Sequence, residues 1–375
     1  MTEAIEIRSI NSRKDLMAFI KFPWKIYAND PHWVPPLIMD RLKTLDGKKN
    51  PFFKHNPAAF FLAYKNGELV GRIAAIINHQ HNQYHQDKTG FFGFLEAIKN
   101  QAVFETLLNT TQDWLRQRGC DRVLGPTNPS TNDEIGFLVD GFEAPPFFMM
   151  PHNPPYYNEM MQALGYEKVK DVYAYYLDKA HLVINKKFQR ASAAVLKKFP
   201  IKLNPLDLKK LNAQLEIVRN IYNDAWSQNW GFVPLTREEF EFIANDFKKI
   251  VDPDMALIAE YKGEPIGFCV FLPNYNEIFM KFRNGKLLPF NWLLFLLNKK
   301  KIRGLRGMIF GIKQKYWHLG LASIFYMETI QRGLQKGYEH TELSWILEDN
   351  QLINQAIHLI GGQAYKTYRV YGRPL

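Results

Sequence analysis

The chain has 375 residues, 46% hydrophobic and 23% charged, enough to bury a large core and in the range of two ordinary globular domains. Its 48 Lys and Arg against 37 Asp and Glu leave a formal net charge of +11, which favours an anionic partner: nucleic acid, a phosphorylated cofactor or a membrane surface. Two cysteines, Cys120 and Cys269, form no C-x-x-C motif and exclude a disulfide scaffold; with a polar N-terminus and no apolar signal core, they point to a reducing cytoplasm.

In chain order, "AYKNGELVGRIAAIIN" (63–78) reads as a β-hairpin, with a turn at Asn66-Gly67 and an alternating apolar strand after it. The His79, His81 and His85 that follow read as a solvated loop, not a metal site, because a fourth ligand is missing. A strand around "TGFFGFLEAI", a helix "NQAVFETLLNTTQDWLRQRG" and a strand "DRVLGPTN" come next. Beyond that strand, Asn128, Asn132, Asp133 and Glu134 crowd into one polar segment. It reads either as a recognition loop for a cationic amine or as an Asx-bonded turn. A helix "PPYYNEMMQALG" and a last strand complete this half.

The second half repeats the first. "AEYKGEPIGFCVFLP" (259–273) is again a hairpin, and Gly263 and Gly267 lie 196 positions after Gly67 and Gly71. At the other end, Gly361 lies 196 after Gly165. Matching offsets at both ends indicate a doubled domain, each copy ordered hairpin, β, α, β, α, β, with boundaries near 1–180 and 190–375. That order places the chain in the α/β class with mixed sheets. The copies differ in their insertions. "LLPFNWLLFLLN" (287–298) is too short to span a bilayer and is broken by Pro289 and Asn291. Followed by Lys299, Lys300 and Lys301, it reads as a core or interface helix, as a cover over a ligand groove or as a membrane-surface contact.

"YWHLGLASIFYMETIQRGLQKGY" (316–338) enters a long helix without a polar cap. Bare N–H groups at a helix start suit a phosphate, and small residues there also allow close packing. In this context the second half resembles the GNAT acyltransferase superfamily. That resemblance implies an acyl-CoA pyrophosphate on the turn Trp317, His318, Leu319, Gly320, Leu321, Ala322 and on Ser323, and a pantetheine arm along the strand edge Phe310, Gly311, Ile312. Gly320 and Ala322 match the family turn, whereas Trp317 stands where Gln or Arg is usual. Asn350 matches the residue that opens the penultimate helix, but Ile357 occupies the place of the family's acidic Tyr. The first half has no such turn, so it reads as a degenerate copy without a cofactor.

Acyl transfer to an amine needs a base and a proton source for the departing thiolate. Glu348, at a strand's C-terminal end, is the first candidate base and Glu342 the second; Tyr365 or Tyr316 would supply the proton. The alternative for both carboxylates is solvation or a structural ion pair. The leading expectation is an N-acyltransferase using acetyl-CoA or a longer acyl-CoA on a small-molecule amine, with acetyl transfer first. A tRNA-dependent aminoacyl transferase of the same fold and a non-catalytic acyl-CoA or lipid-binding module are the alternatives. The basic residues are dispersed and no nucleic-acid motif occurs, so a nucleic-acid partner is expected only under the tRNA alternative.

Overall fold

Two hairpins with the same irregularities, 196 residues apart, organise the chain. Asn66 and Gly67 both take positive φ (52° and 78°), as do Lys262 and Gly263 (52° and 82°), the conformation a two-residue turn needs to match the twist of its strands. The register slips between Ala63 and Tyr64 in one hairpin and between Ala259 and Glu260 in the other.

The computed structural model describes residues 4–184 and 186–375; the first three residues of the expected 1–180 domain lie outside them. The elements are β1 (Ile5–Ser9), α1 (Arg13–Lys21), α2 (Pro23–Ile26), α3 (Ile38–Thr44), α4 (Phe52–His55), β2 (Ala58–Lys65), β3 (Glu68–Ile77), α5 (His79–His85), β4 (Thr89–Ala97), α6 (Gln101–Arg116), β5 (Arg122–Gly125), β6 (Thr127–Asn128), β7 (Glu134–Ile135), β8 (Phe137–Asp140), α7 (Tyr156–Ala163) and β9 (Glu167–Asp178). They continue with α8 (Lys186–Lys198), β10 (Ile201–Pro205), α9 (Leu211–Trp226), α10 (Arg237–Ile250), β11 (Ala256–Tyr261), β12 (Glu264–Pro273), α11 (Asn276–Phe279), α12 (Asn291–Asn298), β13 (Gly304–Ile312), α13 (Leu321–Gln335), β14 (His340–Leu347), α14 (Gln351–Leu359) and β15 (Gln363–Pro374). None of the helices among the described residues is long and apolar enough to cross a membrane.

One unit holds the chain up to Val172 together with Ile278–Leu296 and Lys366–Leu375. A single cut near 180–190 would leave both of those later segments in the second half. Strands β1 to β5 lie in sequence order, and β5 pairs antiparallel with Tyr371–Pro374 of β15, not with the strand that ends the first repeat. Helix α6, capped by Asn100, lays Val103, Phe104, Leu107 and Leu115 into the core. Segment 278–296 is anchored here as well. Trp24 Nε1 donates to Arg283 O at 2.7 Å, Ile38 N donates to Gly285 O at 2.9 Å, and Phe279 stacks on Phe295 with centroids 6.0 Å apart. The histidine segment is a helix rather than a solvated loop: Asn78 caps it and His81 is buried. Burial first, and then the neighbouring His85, lower the His81 imidazole to about 4.

The other unit holds Tyr173–Glu277 and Leu297–Tyr365. Its strands run β10, β11, β12, β13, β14, and β14 is bordered by β9. One face carries α13, whose Leu321, Ile324 and Phe325 pack with Ile266, Cys269, Leu305 and Leu343. The opposite face carries α9 and α10, with Ile221, Tyr222 and Phe240 against Ile258 and Phe268. A reciprocal Thr236–Glu239 capping box starts α10. Both cysteines are free and buried, and burial pushes the Cys120 thiol up to about 11.

Candidate active site

The parallel pair β13–β14 is short. It runs from Gly304 opposite His340 to Gly307 opposite Leu343, after which β13 continues to Ile312 and β14 to Leu347 without pairing with each other. A register shift in β12–β13 between Val270 and Phe271 accompanies the divergence. Lys313 N donates to Ile266 O at 2.9 Å, and Gly311 pairs with Phe268, so the alternation of an antiparallel ladder turns the backbone groups of Phe310 and Ile312 away from β12. Those groups form the open strand edge. Both carbonyls are met by indoles: Trp226 Nε1 donates to Phe310 O at 3.1 Å, and Trp317 Nε1 donates to Ile312 O at 2.8 Å.

A 3-10 turn, Gln314–Leu319, then leads to Gly320 at φ 71°, and α13 begins with no side-chain cap. Leu321 is buried, Ala322 packs at the core margin, and the Ser323 hydroxyl donates back to Gly320 O at 2.8 Å. Helix α8 lies beside this turn. A Cβ on Gly320 would stand 3.3 Å from Val195 Cγ2, and Ser192 Oγ donates to Ser323 O at 3.2 Å. Just before the turn, Lys313 and Lys315 reach Glu264 at 2.8 and 2.9 Å, and Tyr316 donates to it at 2.6 Å. Hydrogen bonds from Lys313, Tyr316 and Lys315 hold the Glu264 carboxyl down at about 2. Both lysines are therefore charge-paired within the protein.

At the root of the divergence, Glu342 stands opposite Arg306 on the sheet face away from α13. Glu342 has no exposed surface and Arg306 only 1%. Ser344 Oγ donates to Glu342 Oε1 at 2.7 Å, and Tyr365 donates its hydroxyl to Oε2. Arg306 Nε donates to Ser344 Oγ at 3.1 Å and lies 3.7 Å from Glu342 Oε1. Its guanidinium stacks over the Trp345 ring at 5.0 Å. The structure thus joins two residues that the sequence singled out separately, Glu342 and Tyr365.

Glu348 lies in the turn just past the end of β14, where its carbonyl accepts from Asn354 Nδ2 at 3.4 Å. Asn350 caps α14 by accepting from Ile353 N at 3.3 Å, and Ile357 is buried in the core. Sequence reasoning missed Arg306 and Trp226. An arginine inside the apolar run "GLRGMIFGI" was the available signal for the first, since a buried cation requires a partner.

In the first unit the corresponding divergence, after Phe91 opposite Leu124, is filled by the chain itself. Asn128 Oδ1 accepts from Phe94 N at 2.6 Å, and a Cβ on Gly93 would fall 1.8 Å from Thr127 O. Asn128 also donates to Glu134 at 3.3 Å, Glu134 pairs with Arg41 at 2.6 Å, and Ser130 Oγ contacts Asp133 at 2.6 Å and Asn132 N at 3.2 Å. The polar segment is an internal network in which Arg41 balances the charge of Glu134.

Residues 24–139 and 215–358, which contain the diverging strands of both units, match the acetyltransferase (GNAT) family. The chain belongs to that family. It is a tandem GNAT protein and an acyl-transfer enzyme, and GNAT-fold acyltransferases generally draw on acyl-CoA. Over 380 aligned residues it is 36% identical to a protein named bacterial ceramide synthase from Caulobacter vibrioides (strain NA1000 / CB15N), covering 99% of this chain and 98% of that one. It is 34% identical to protein YghO of Escherichia coli (strain K12), covering 98% and 95%. Among solved structures, a tandem GNAT protein from the clavulanic acid biosynthesis pathway shares the fold, with a TM-score of 0.59 at 10% identity and coverage of 99% and 98%. A GCN5-related N-acetyltransferase from Sphaerobacter thermophilus aligns with a TM-score of 0.53 at 12% identity, covering 99% and 95%.

Proposed function

We propose that this GNAT enzyme moves a long acyl chain from acyl-CoA to the amino group of a long-chain amino alcohol, forming an amide of the ceramide type. The observation that carries this reading is the 36% identity, over essentially both full chains, to the protein named bacterial ceramide synthase. It replaces acetyl as the leading acyl group with a longer one.

In this reading the pantetheine arm lies along the Phe310–Ile312 edge, and the two indoles yield or share their carbonyls as it enters. The pyrophosphate sits on the backbone at the start of α13, between His318 and Ser323, where the helix dipole favours negative charge; the Gly320 and Ser323 N–H groups there already donate to Trp317 O and Gly320 O at 3.3 and 3.1 Å. The first unit, with β6 in its divergence, holds no second acyl-CoA.

The amine nitrogen attacks the thioester carbon, the C–S bond breaks, and the proton leaving the nitrogen ends on the CoA thiolate. Tyr365 and Glu342 are the groups we assign to that proton. Glu342 has no surface of its own, so its charge acts on the amine through the half-buried Tyr365 hydroxyl. Glu348 is the competing base, closer to the strand's open end. The test is release of free thiol from palmitoyl-CoA or acetyl-CoA with sphinganine or spermidine as acceptor, with the amide identified by mass. The reading requires palmitoyl-CoA with sphinganine to be the preferred pair; preference for acetyl-CoA with spermidine would overturn it.

A further inference from the structure

Helix α12 is built inside out. Its half-buried positions are Asn291, Phe295 and Asn298, spaced four and three apart on one face, while the leucines between them face solvent. Asn291 Nδ2 donates to Lys286 O at 2.6 Å and Phe295 stacks on Phe279, which fixes this face inward. Outward stand Leu293 at 50% exposure and Leu297 at 62%, preceded by Phe290 at 80%. A helix on a water-facing surface normally presents the opposite pattern. Contiguous exposed apolar side chains of this kind mark a surface that something covers.

The charge around the helix indicates what covers it. Lys299, Lys300 and Lys301 follow directly and are exposed, as is Lys286 before it. From Ile278 to Met327 the chain contains no Asp or Glu. A second copy docking through a twofold would bring the same patch against itself and set lysines against lysines. An anionic bilayer satisfies both features, since leucines, Phe290 and Trp292 enter the acyl boundary while the lysines meet phosphate headgroups. The helix is two turns long, which suits lying in the interface and not crossing it. We infer that residues 286–301 dock the enzyme peripherally on an anionic membrane surface. This goes beyond the proposed acyl transfer and does not rest on it, because docking is read without turnover.

The test is cosedimentation of the full chain with phosphatidylcholine vesicles, with and without phosphatidylglycerol, at low and high salt. Wild type should partition onto the anionic vesicles and be released by salt. The triple variant Lys299→Gln, Lys300→Gln, Lys301→Gln should lose about a hundredfold in partitioning, from roughly 1 kcal/mol per lysine at such a surface. The variant Phe290→Ser, Leu293→Ser, Leu297→Ser should fail to bind either vesicle type while keeping the wild-type circular dichroism spectrum. Wild type remaining in the supernatant with anionic vesicles would overturn the inference. So would binding that neither variant weakens, or a dimer in sedimentation velocity that the apolar variant dissolves.

Discussion

Tyr365 donates its phenolic hydrogen to Glu342 Oε2, while Ser344 holds Oε1 at 2.7 Å, so a half-buried hydroxyl is wired to a carboxylate with no surface of its own. Tyr365→Phe should lower turnover by about a hundredfold, the usual size of a general acid–base contribution, and leave acyl-CoA affinity nearly unchanged. Glu342→Gln should cost as much activity and also stability, about 3–5 kcal/mol, because Arg306 is left buried without its anion. Thiol release and thermal melts of the two variants separate chemistry from folding. If Glu348→Gln alone abolishes turnover and Tyr365→Phe does not, the base is Glu348.

Gly320 has φ 71° and faces Val195, so its substitution combines strain with bulk. Gly320→Glu should eliminate CoA binding in calorimetry, whereas Gly320→Ala, which adds strain but no charge, should weaken it about tenfold or less. One CoA per chain is the expected stoichiometry, and two would contradict the filled divergence in the first unit.

Trp317 is 58% exposed and, in the proposed reading, flanks the pyrophosphate turn without offering it a cationic side chain. Trp317→Arg should tighten CoA binding several-fold at low ionic strength, with the gain fading in high salt, because a guanidinium can pair with the pyrophosphate. Melting temperature should change little. Calorimetry at two salt concentrations reads both effects.

Glu264 has its carboxyl held at about 2, below the roughly 4.3 of an unfolded chain. Its contribution is thus present above the unfolded value and is lost as pH falls from about 4.5 toward 2, where the unfolded chain takes up the proton first. The melting-temperature gap between wild type and Glu264→Gln should close across that window. The gap should be modest and salt-sensitive, since the side chain is 37% exposed. A gap independent of pH would mean that the carboxylate's pairing with Lys313 and Lys315 contributes nothing.

Local backbone chemistry was legible in the sequence alone. The paired positive-φ turns at Asn66-Gly67 and Lys262-Gly263, the uncapped start at Gly320 and the Asn350 cap each depend on a few adjacent residues, and the 196-residue offset ties them into two copies. Partner choice was not legible. Period-two alternation says which face of a strand is apolar but not which strand lies beside it, so nothing local announces that β5 pairs with β15. The same holds for Glu342. Two residues apart on one strand, it necessarily shares a face with Ser344, yet its meeting with Arg306 and Tyr365 arises from a parallel strand pair and a later strand whose association is decided by packing across long stretches of chain. Residues 287–298 carried their greasiness openly in the sequence, but whether those leucines faced a core or water was set by the anchoring of Phe279, Arg283, Gly285 and Asn291, contacts that exist only once the chain has folded.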